Sequence, residues 1–457
     1  MSELPKPQFT VYVVALIAAL AGLLFGLDIG VISGARVFIA HDFHAGDGVQ
    51  EAIVSAVLIG AVIGTLVSGV LSRKFGRKRT ILVSAVIFAA GSLLSALSIS
   101  SAMLIAVRIL LGIAVGIASF TAPLYLSEMS PRKIRGRLIS MYQLMITIGI
   151  LLAFLSDTWL SYGGHWRIML GILVIPSVVM FAGVWFLPES PCWLFLVDRK
   201  DKAREVLSRL RATISEVEAE LTGMEENLQQ QSGGFKLLAN PNFRKVVFLG
   251  IVLQMMQQFT GMNVVMYYAP KIFHDAGIAS ATGDMWTTVL VGLINVLATF
   301  IAIAFVDKMG RKPILALGFT IMGVSLGLVG MMFSLGMTSA LHRYFAIGML
   351  LVFIAGFAMS AGPVIWVLCS EIYPLKGRDL GVTISTATNW LCNAVVGSTF
   401  LTLLADFGDA HTFYLFAGMN IVFIFILLRF APETKGVSLE HIEKNLMSGV
   451  ALNRIGK

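Results

Sequence analysis

The stretch SRKFGRKRT, residues 72–80, returns in shortened form as DKMGRK at residues 307–312. Each copy follows a long apolar run. A second pair of echoes lies further along: SEMSPRKIRGR at 127–137 and SEIYPLKGRD at 370–379. Two different motifs recurring in the same order, each at the end of an apolar run, mark an internal duplication. The chain therefore reads as two related halves.

The apolar runs set the fold class. Of 457 residues, 57% are hydrophobic and 13% are charged, whereas a soluble domain carries roughly a quarter charged residues. A helix needs about 20 apolar residues to cross the hydrocarbon core of a bilayer. Twelve candidate spans lie near 9–34, 51–71, 79–98, 102–127, 138–160, 168–187, 245–272, 285–305, 313–334, 343–370, 380–404 and 411–430. The expected fold is an all-α polytopic membrane protein, twelve transmembrane helices in two pseudo-symmetric six-helix bundles. The bundles occupy 1–190 and 243–431, with a helical linker at 191–242 and a tail at 432–457. In the linker, Leu207, Leu210, Ile214, Val217, Leu221, Met224 and Leu228 step by threes and fours, which predicts an amphipathic helix over 198–232 packed under the membrane domain.

Charge placement orients the chain. Arg73, Lys74, Arg77, Lys78 and Arg79 follow span 2, and Arg132, Lys133, Arg135 and Arg137 follow span 4; further cations follow spans 8 and 10. Basic loops face the cytoplasm, so both termini are expected there, with an uncleaved first helix. The net charge of +8 is thus a topology signal, and a nucleic-acid partner is excluded. Cys192, Cys369 and Cys392 form no CxxC pair, and the histidines form no HExxH; no metal site or cofactor is expected. Without a GxxxxGK[ST] loop or a nucleophile–base set, neither ATP-driven transport nor enzymatic catalysis is supported. Two repeated bundles point to an alternating-access carrier with its site midway between them.

Gly76-Arg77-Lys78, PESP at 188–191, QQFTGMN at 257–263, DKMGRK at 307–312 and PETKG at 432–436 together span the chain. On these motifs it resembles the sugar porter family of the major facilitator superfamily. The resemblance implies proton-coupled monosaccharide uptake across a bacterial inner membrane, by a chain expected to be monomeric. Two departures concern the cytoplasmic surface: Ser72 stands where an acid often precedes GRK, and Cys192 where Arg often follows PESP.

Asp28 sits in GLLFGLDIGVISG, residues 22–34. A carboxylate at membrane depth costs about 2.5–3.5 kcal/mol on insertion scales. Arg108 is the other strongly charged residue well within the first four spans. Counted from the expected helix ends, both lie roughly 9 Å below the outer surface. A switchable pair is the functional expectation, Asp28 taking the proton and Arg108 tuning it; the family's matching aspartate couples protons. A static salt bridge is the alternative.

A sugar wants amides, which donate and accept, and an aromatic face. Span 7 offers Gln257, Gln258 and Asn263 around Gly261. On one regular helix Gln258 and Asn263 point about 140° apart; a break at Gly261 would bring them together. The alternative is that these amides tie helices to one another. The resemblance adds Gln143, Asn295 and Asn389. Trp366 is the candidate platform, placed by a helix break at Gly362-Pro363. Phe25, Tyr267 and Trp390 are candidates to shape or close the cavity. Glu128 and Glu371, with Arg77, Arg135, Arg311 and Arg378, are the candidate cytoplasmic gate, its pairs holding the halves closed; simple topology signalling is the alternative. By the same resemblance, Asn295 stands where arabinose carriers of the family tend to be apolar, which favours a hexose whose hydroxymethyl needs a partner, galactose with glucose, over arabinose or xylose, although LAFLSDT at 152–158 leans toward arabinose carriers. An uncoupled uniporter and a membrane sugar sensor are the remaining alternatives.

Overall fold

The structure is a computed structural model and describes residues 9–131, 135–211, 213–230, 234–275, 281–337, 339–374, 377–437 and 439–456. Among them every regular element is helical. The first group comprises α1 (Phe9–Asp42), α2 (Asp47–Phe75), α3 (Arg77–Ala96), α4 (Ser101–Met129), α5 (Arg135–Ser161), α6 (Trp166–Gly171) and α7 (Val174–Phe186). The linker holds α8 (Pro191–Leu196), α9 (Lys200–Leu210) and α10 (Ile214–Gln230). The second group comprises α11 (Pro241–Phe259), α12 (Met262–Asp275), α13 (Ala281–Met309), α14 (Arg311–Ser334), α15 (Ala340–Ala358), α16 (Ala361–Ile372), α17 (Arg378–Gly397) and α18 (Phe400–Phe430), the last broken by a kink at Gly408 (φ 76°, ψ 163°), followed by α19 (Leu439–Met447).

Ten helices among the described residues are long and apolar enough to cross a membrane. The other two crossings of the twelve-helix fold are α11 with α12, interrupted midway, and α17, rich in Ser, Thr and Asn. Both departures from the apolar rule fall on helices that carry candidate site residues. Within the first group α1 packs on α5 and α2 on α4; within the second α14 packs on α18 and α11 on α17. Between the groups α5 meets α13, α2 meets α17 and α1 meets α12.

The duplication is visible in the backbone. Gly76 between α2 and α3 has φ 94° and ψ 165°; Gly310 between α13 and α14 has φ 96° and ψ 165°. Only glycine visits this region freely. A Cβ at these positions would lie 2.2 Å from the Glu189 carboxylate and 2.8 Å from that of Glu433.

Three sequence expectations need correction. The linker is not one helix over 198–232: α9 ends at Leu210 and α10 starts at Ile214. Between them Arg211 turns back, its Nε and Nη2 donating to Glu220 at 2.8 and 2.9 Å and its Nη1 to the Met129 carbonyl at 3.0 Å. The apolar faces still match the periodicity, with Leu207 and Leu210 buried, and Arg211 fastens the linker to the end of α4. The break in span 10 falls at Met359–Ser360, one turn before Gly362-Pro363. Pro363 lacks the N–H that would bond the carbonyl of residue 359 and its ring crowds that carbonyl, so the helix parts there. Finally, α1 continues past Gly34 to Asp42, which places Asp28 near its midpoint rather than near its end.

Candidate functional site

Asp28 and Arg108 meet. Arg108 Nη1 donates to Asp28 Oδ1 at 3.0 Å, and Arg108 Nε donates to the Ile53 carbonyl of α2 at 3.2 Å. Both side chains are buried, at 4% and 2% exposure. Depths counted from helix ends did not match, because α1 projects beyond the start of α4, yet the contact is made. An acid and a base sealed together at membrane depth are mutually dependent: either one alone is an uncompensated buried charge.

The amides converge as the glycine break allows. α11 stops at Phe259 and α12 starts at Met262, with Gly261 at φ 89°. Across this break Asn263 Nδ2 donates to Gln258 Oε1 at 2.6 Å. The carbonyl that the break frees at Thr260 accepts from Asn420 Nδ2 of α18 at 3.3 Å. Unwound backbone at this depth requires such a partner.

Gln257 faces the second broken helix. Its Nε2 donates to the carbonyls of Ala361 and Gly362 at 2.8 and 3.0 Å, in the first turn of α16. Asn389 Nδ2 lies 2.6 Å from Gln257 Oε1 and 2.6 Å from Gln254 Oε1. Gln254, fully buried, was missed in the sequence reading, although it sits one turn before the Gln257–Gln258 pair on the same helix. Asn393 was also missed; its Nδ2 donates to the Tyr267 hydroxyl at 3.1 Å. It follows Asn389 by one helical turn, which was the available signal.

The aromatics divide by role. Phe25 of α1 and Trp390 of α17 meet edge to face, with ring centroids 5.1 Å apart, so they bridge the two groups. Tyr267 and Trp390 are buried. Trp366 and Gln143 are only half-buried, and Asn295 is buried on α13. Gly362 contributes its carbonyl to Gln257, as above.

At the end of the molecule that carries the basic loops, each acid pairs within its own group. Arg77 Nη2 donates to Glu128 at 2.8 Å, and Arg311 Nη2 donates to Glu371 at 2.8 Å. A hydroxyl supports each acid: Ser190 Oγ donates to Glu128, and Thr434 Oγ1 donates to Glu371 at 2.6 Å. In this state these pairs do not join the halves, as a closed cytoplasmic gate would require. Arg378 opens α17, Arg135 opens α5 with its side chain outside the described residues, and Arg132 and Lys133 lie outside them altogether.

Two further acids emerge. Glu189 accepts from the backbone N–H groups of Arg77, Lys78 and Ser190 at 2.9–3.0 Å. Glu433 accepts from those of Arg311, Lys312 and Lys435 at 2.9–3.0 Å. The repeated Pro-Glu-Ser/Thr of PESP and PETKG was the signal: in each copy the acid caps the helix after the GRK glycine and the hydroxyl supports the arginine-paired acid. Burial pushes the Glu433 carboxyl up, but the three N–H donors and the Arg311 charge outweigh it and hold the acid below its ordinary range. Its contribution is therefore complete near neutral pH and fades as pH falls through that lowered value.

Removing one partner of a nearly buried ion pair leaves the other uncompensated, at a cost of about 3 kcal/mol. Arg77→Ala and Arg311→Ala are each expected to lower the Tm of detergent-solubilised protein by several degrees, checked by scanning fluorimetry. An unchanged Tm in both would show that these pairs do not hold their own halves together.

The sequence matches the family described as Sugar (and other) transporter over residues 14–446. It is 58% identical over 446 residues to the galactose-proton symporter of Escherichia coli K12, covering 97% of this chain and 96% of the relative. It is 52% identical over 447 residues to the arabinose-proton symporter of the same strain, covering 97% and 95%. Among solved structures it resembles the partially occluded inward-open conformation of the E. coli xylose transporter XylE, with TM-score 0.84 and 29% identity, over 94% of this chain and 100% of that one. The duplicated motifs, the helix order and these full-length matches agree: the chain belongs to the sugar transporter family and has the major facilitator fold.

Proposed function

We propose that this chain brings galactose, and with it glucose, into the cytoplasm together with protons. The observation that carries the reading is the sealed Asp28–Arg108 pair, in a chain so close to a galactose-proton symporter. Asp28 takes a proton while the site faces outward, which releases Arg108 from a full charge partner. The sugar binds the amides of Gln143, Gln257, Gln258, Asn263, Asn295 and Asn389, with Trp366 under its apolar face. The bundles at 1–190 and 243–431 then rock about this site, joined by the linker at 191–242, and the tail at 432–457 closes the second bundle from the cytoplasmic side. Glu128, Glu371, Arg77, Arg135, Arg311 and Arg378 gate that side. The protein works as a monomer in the bilayer, with both termini in the cytoplasm.

The substrate is tested by competition. Unlabelled glucose is expected to suppress labelled galactose uptake at concentrations close to those of galactose itself. Arabinose and xylose, which lack the hydroxymethyl that Asn295 is proposed to bind, should be weaker by roughly tenfold or more, because an unmatched buried polar group is costly. Arabinose competing as well as galactose would favour the pentose reading. Sugar addition to energy-depleted cells is expected to raise the external pH; an unchanged external pH with uptake intact would favour the uncoupled uniporter.

A further inference from the structure

At the end of the molecule opposite the basic loops, hydrogen bonds cross between the two groups of helices. Thr158 Oγ1 of α5 lies 3.3 Å from the Met285 carbonyl of α13, and Trp286 Nε1 donates to the Tyr162 hydroxyl at 3.3 Å. Arg36 of α1 lies over the Tyr268 ring of α12, 5.0 Å from its centroid, and its Nη1 donates to Gln50 at 2.5 Å. The next residue, Glu51, makes the strongest of these connections. Its Oε1 accepts from the Thr402 backbone N–H at 2.9 Å, and its Oε2 accepts from the Thr402 hydroxyl at 2.8 Å. Glu51 is buried, at 4% exposure.

The chemistry of this contact is specific. Thr402 lies in the first turn of α18, in the short segment that Gly408 (φ 76°, ψ 163°) separates from the rest of the helix, and backbone N–H groups there have no acceptor within the helix. The residue in the N-cap position, Thr399, makes no side-chain capping hydrogen bond; its hydroxyl is turned back and donates to the Val395 carbonyl at 2.9 Å. The acceptor comes instead from the other half of the molecule. A carboxylate at a helix start is favoured by the helix dipole as well as by the hydrogen bond. When the two groups part at this end, Glu51 and the first turn of α18 lose each other and must be satisfied by water.

We propose that Glu51 is the outer latch of the carrier, a cap supplied in trans that stabilises the state closed to the outside and sets how readily the outside opens. This rests on the alternating-access reading above, but it assigns to Glu51 and Thr402 a role separate from sugar and proton binding.

Leu58 is the reporter. It lies two helical turns below Glu51 on the same face of α2, is 2% exposed, and sits against Gly397 of α17 across the same seam. Leu58→Cys is introduced, and its labelling by a membrane-impermeant maleimide applied outside intact cells is compared with that of the parent chain. Adding Glu51→Ala is expected to speed labelling about tenfold, the loss of a charge-assisted contact. Thr402→Val, which keeps the backbone N–H, should give a smaller increase. The double variant should be no faster than Glu51→Ala alone. Glu51→Gln, which preserves shape, should fall between parent and Glu51→Ala and serves if the alanine variant does not reach the membrane. Unchanged labelling in the Glu51 variants, or effects of Glu51→Ala and Thr402→Val that multiply, would overturn the latch. Labelling reads opening rather than transport. A null result with proton-driven galactose uptake intact defeats the latch alone, whereas faster labelling in a chain that fails to couple protons defeats the symport reading alone.

Discussion

Replacing Asp28 by asparagine is expected to abolish uphill accumulation of galactose while sparing exchange of sugar across the membrane. Asparagine keeps the size and a carbonyl acceptor for Arg108 but carries no titratable proton. With the coupling group gone, a proton gradient has nothing to act on, and sugar should run only to equal concentrations. Proteoliposomes with an imposed proton gradient give the test: the accumulation ratio should fall to about one, and counterflow of labelled against unlabelled galactose should remain within several-fold of the parent. Arg108 loses its charge partner in this variant, and an uncompensated buried charge costs about 3–5 kcal/mol. Retained sugar protection against heat inactivation therefore separates lost coupling from lost folding. Accumulation that survives the substitution would make the Asp28–Arg108 contact at 3.0 Å a static brace between α1 and α4.

The second large effect concerns the break in span 7. Gln258→Ala removes an amide proposed to bind the sugar, and it also leaves Asn263 without the 2.6 Å contact that orients it across Gly261. Loss of one or two buried hydrogen bonds, at about 1–3 kcal/mol each, should raise the KM for galactose by roughly ten- to a hundredfold. The maximal rate should change less, since the rocking elements are untouched. Initial uptake rates over a wide range of galactose concentration check this. A normal KM with lowered thermal stability would mean that Gln258 and Asn263 join helix segments rather than bind substrate.

The helix scaffold and its duplication were legible because apolar run length and cation placement act locally, through transfer of each segment between water and lipid. The same locality made Gly261 readable as a break. What failed were statements that depend on an atom several residues or a whole helix away. The span 10 break moved back to Met359–Ser360 because a proline disrupts the carbonyl one turn before it. The linker broke at Arg211 because that side chain found Glu220 and the end of α4.

The sequence by itself determined that this chain spans a membrane as two related halves, that an acid lies at membrane depth, and that amides cluster beside a glycine. The Asp28–Arg108 pair expected from the sequence is made, but only the tertiary structure decided the other partners: Asn389 with both Gln254 and Gln257, each acid at the basic-loop end with an arginine of its own half, and Glu51 with Thr402 of the other half. The division has a physical cause. Partition into lipid is a property of a short segment, whereas a hydrogen bond or ion pair in a low-dielectric interior depends on ångström-scale approach between segments far apart in the chain. The helix packing that produces this approach is set by all the helices together.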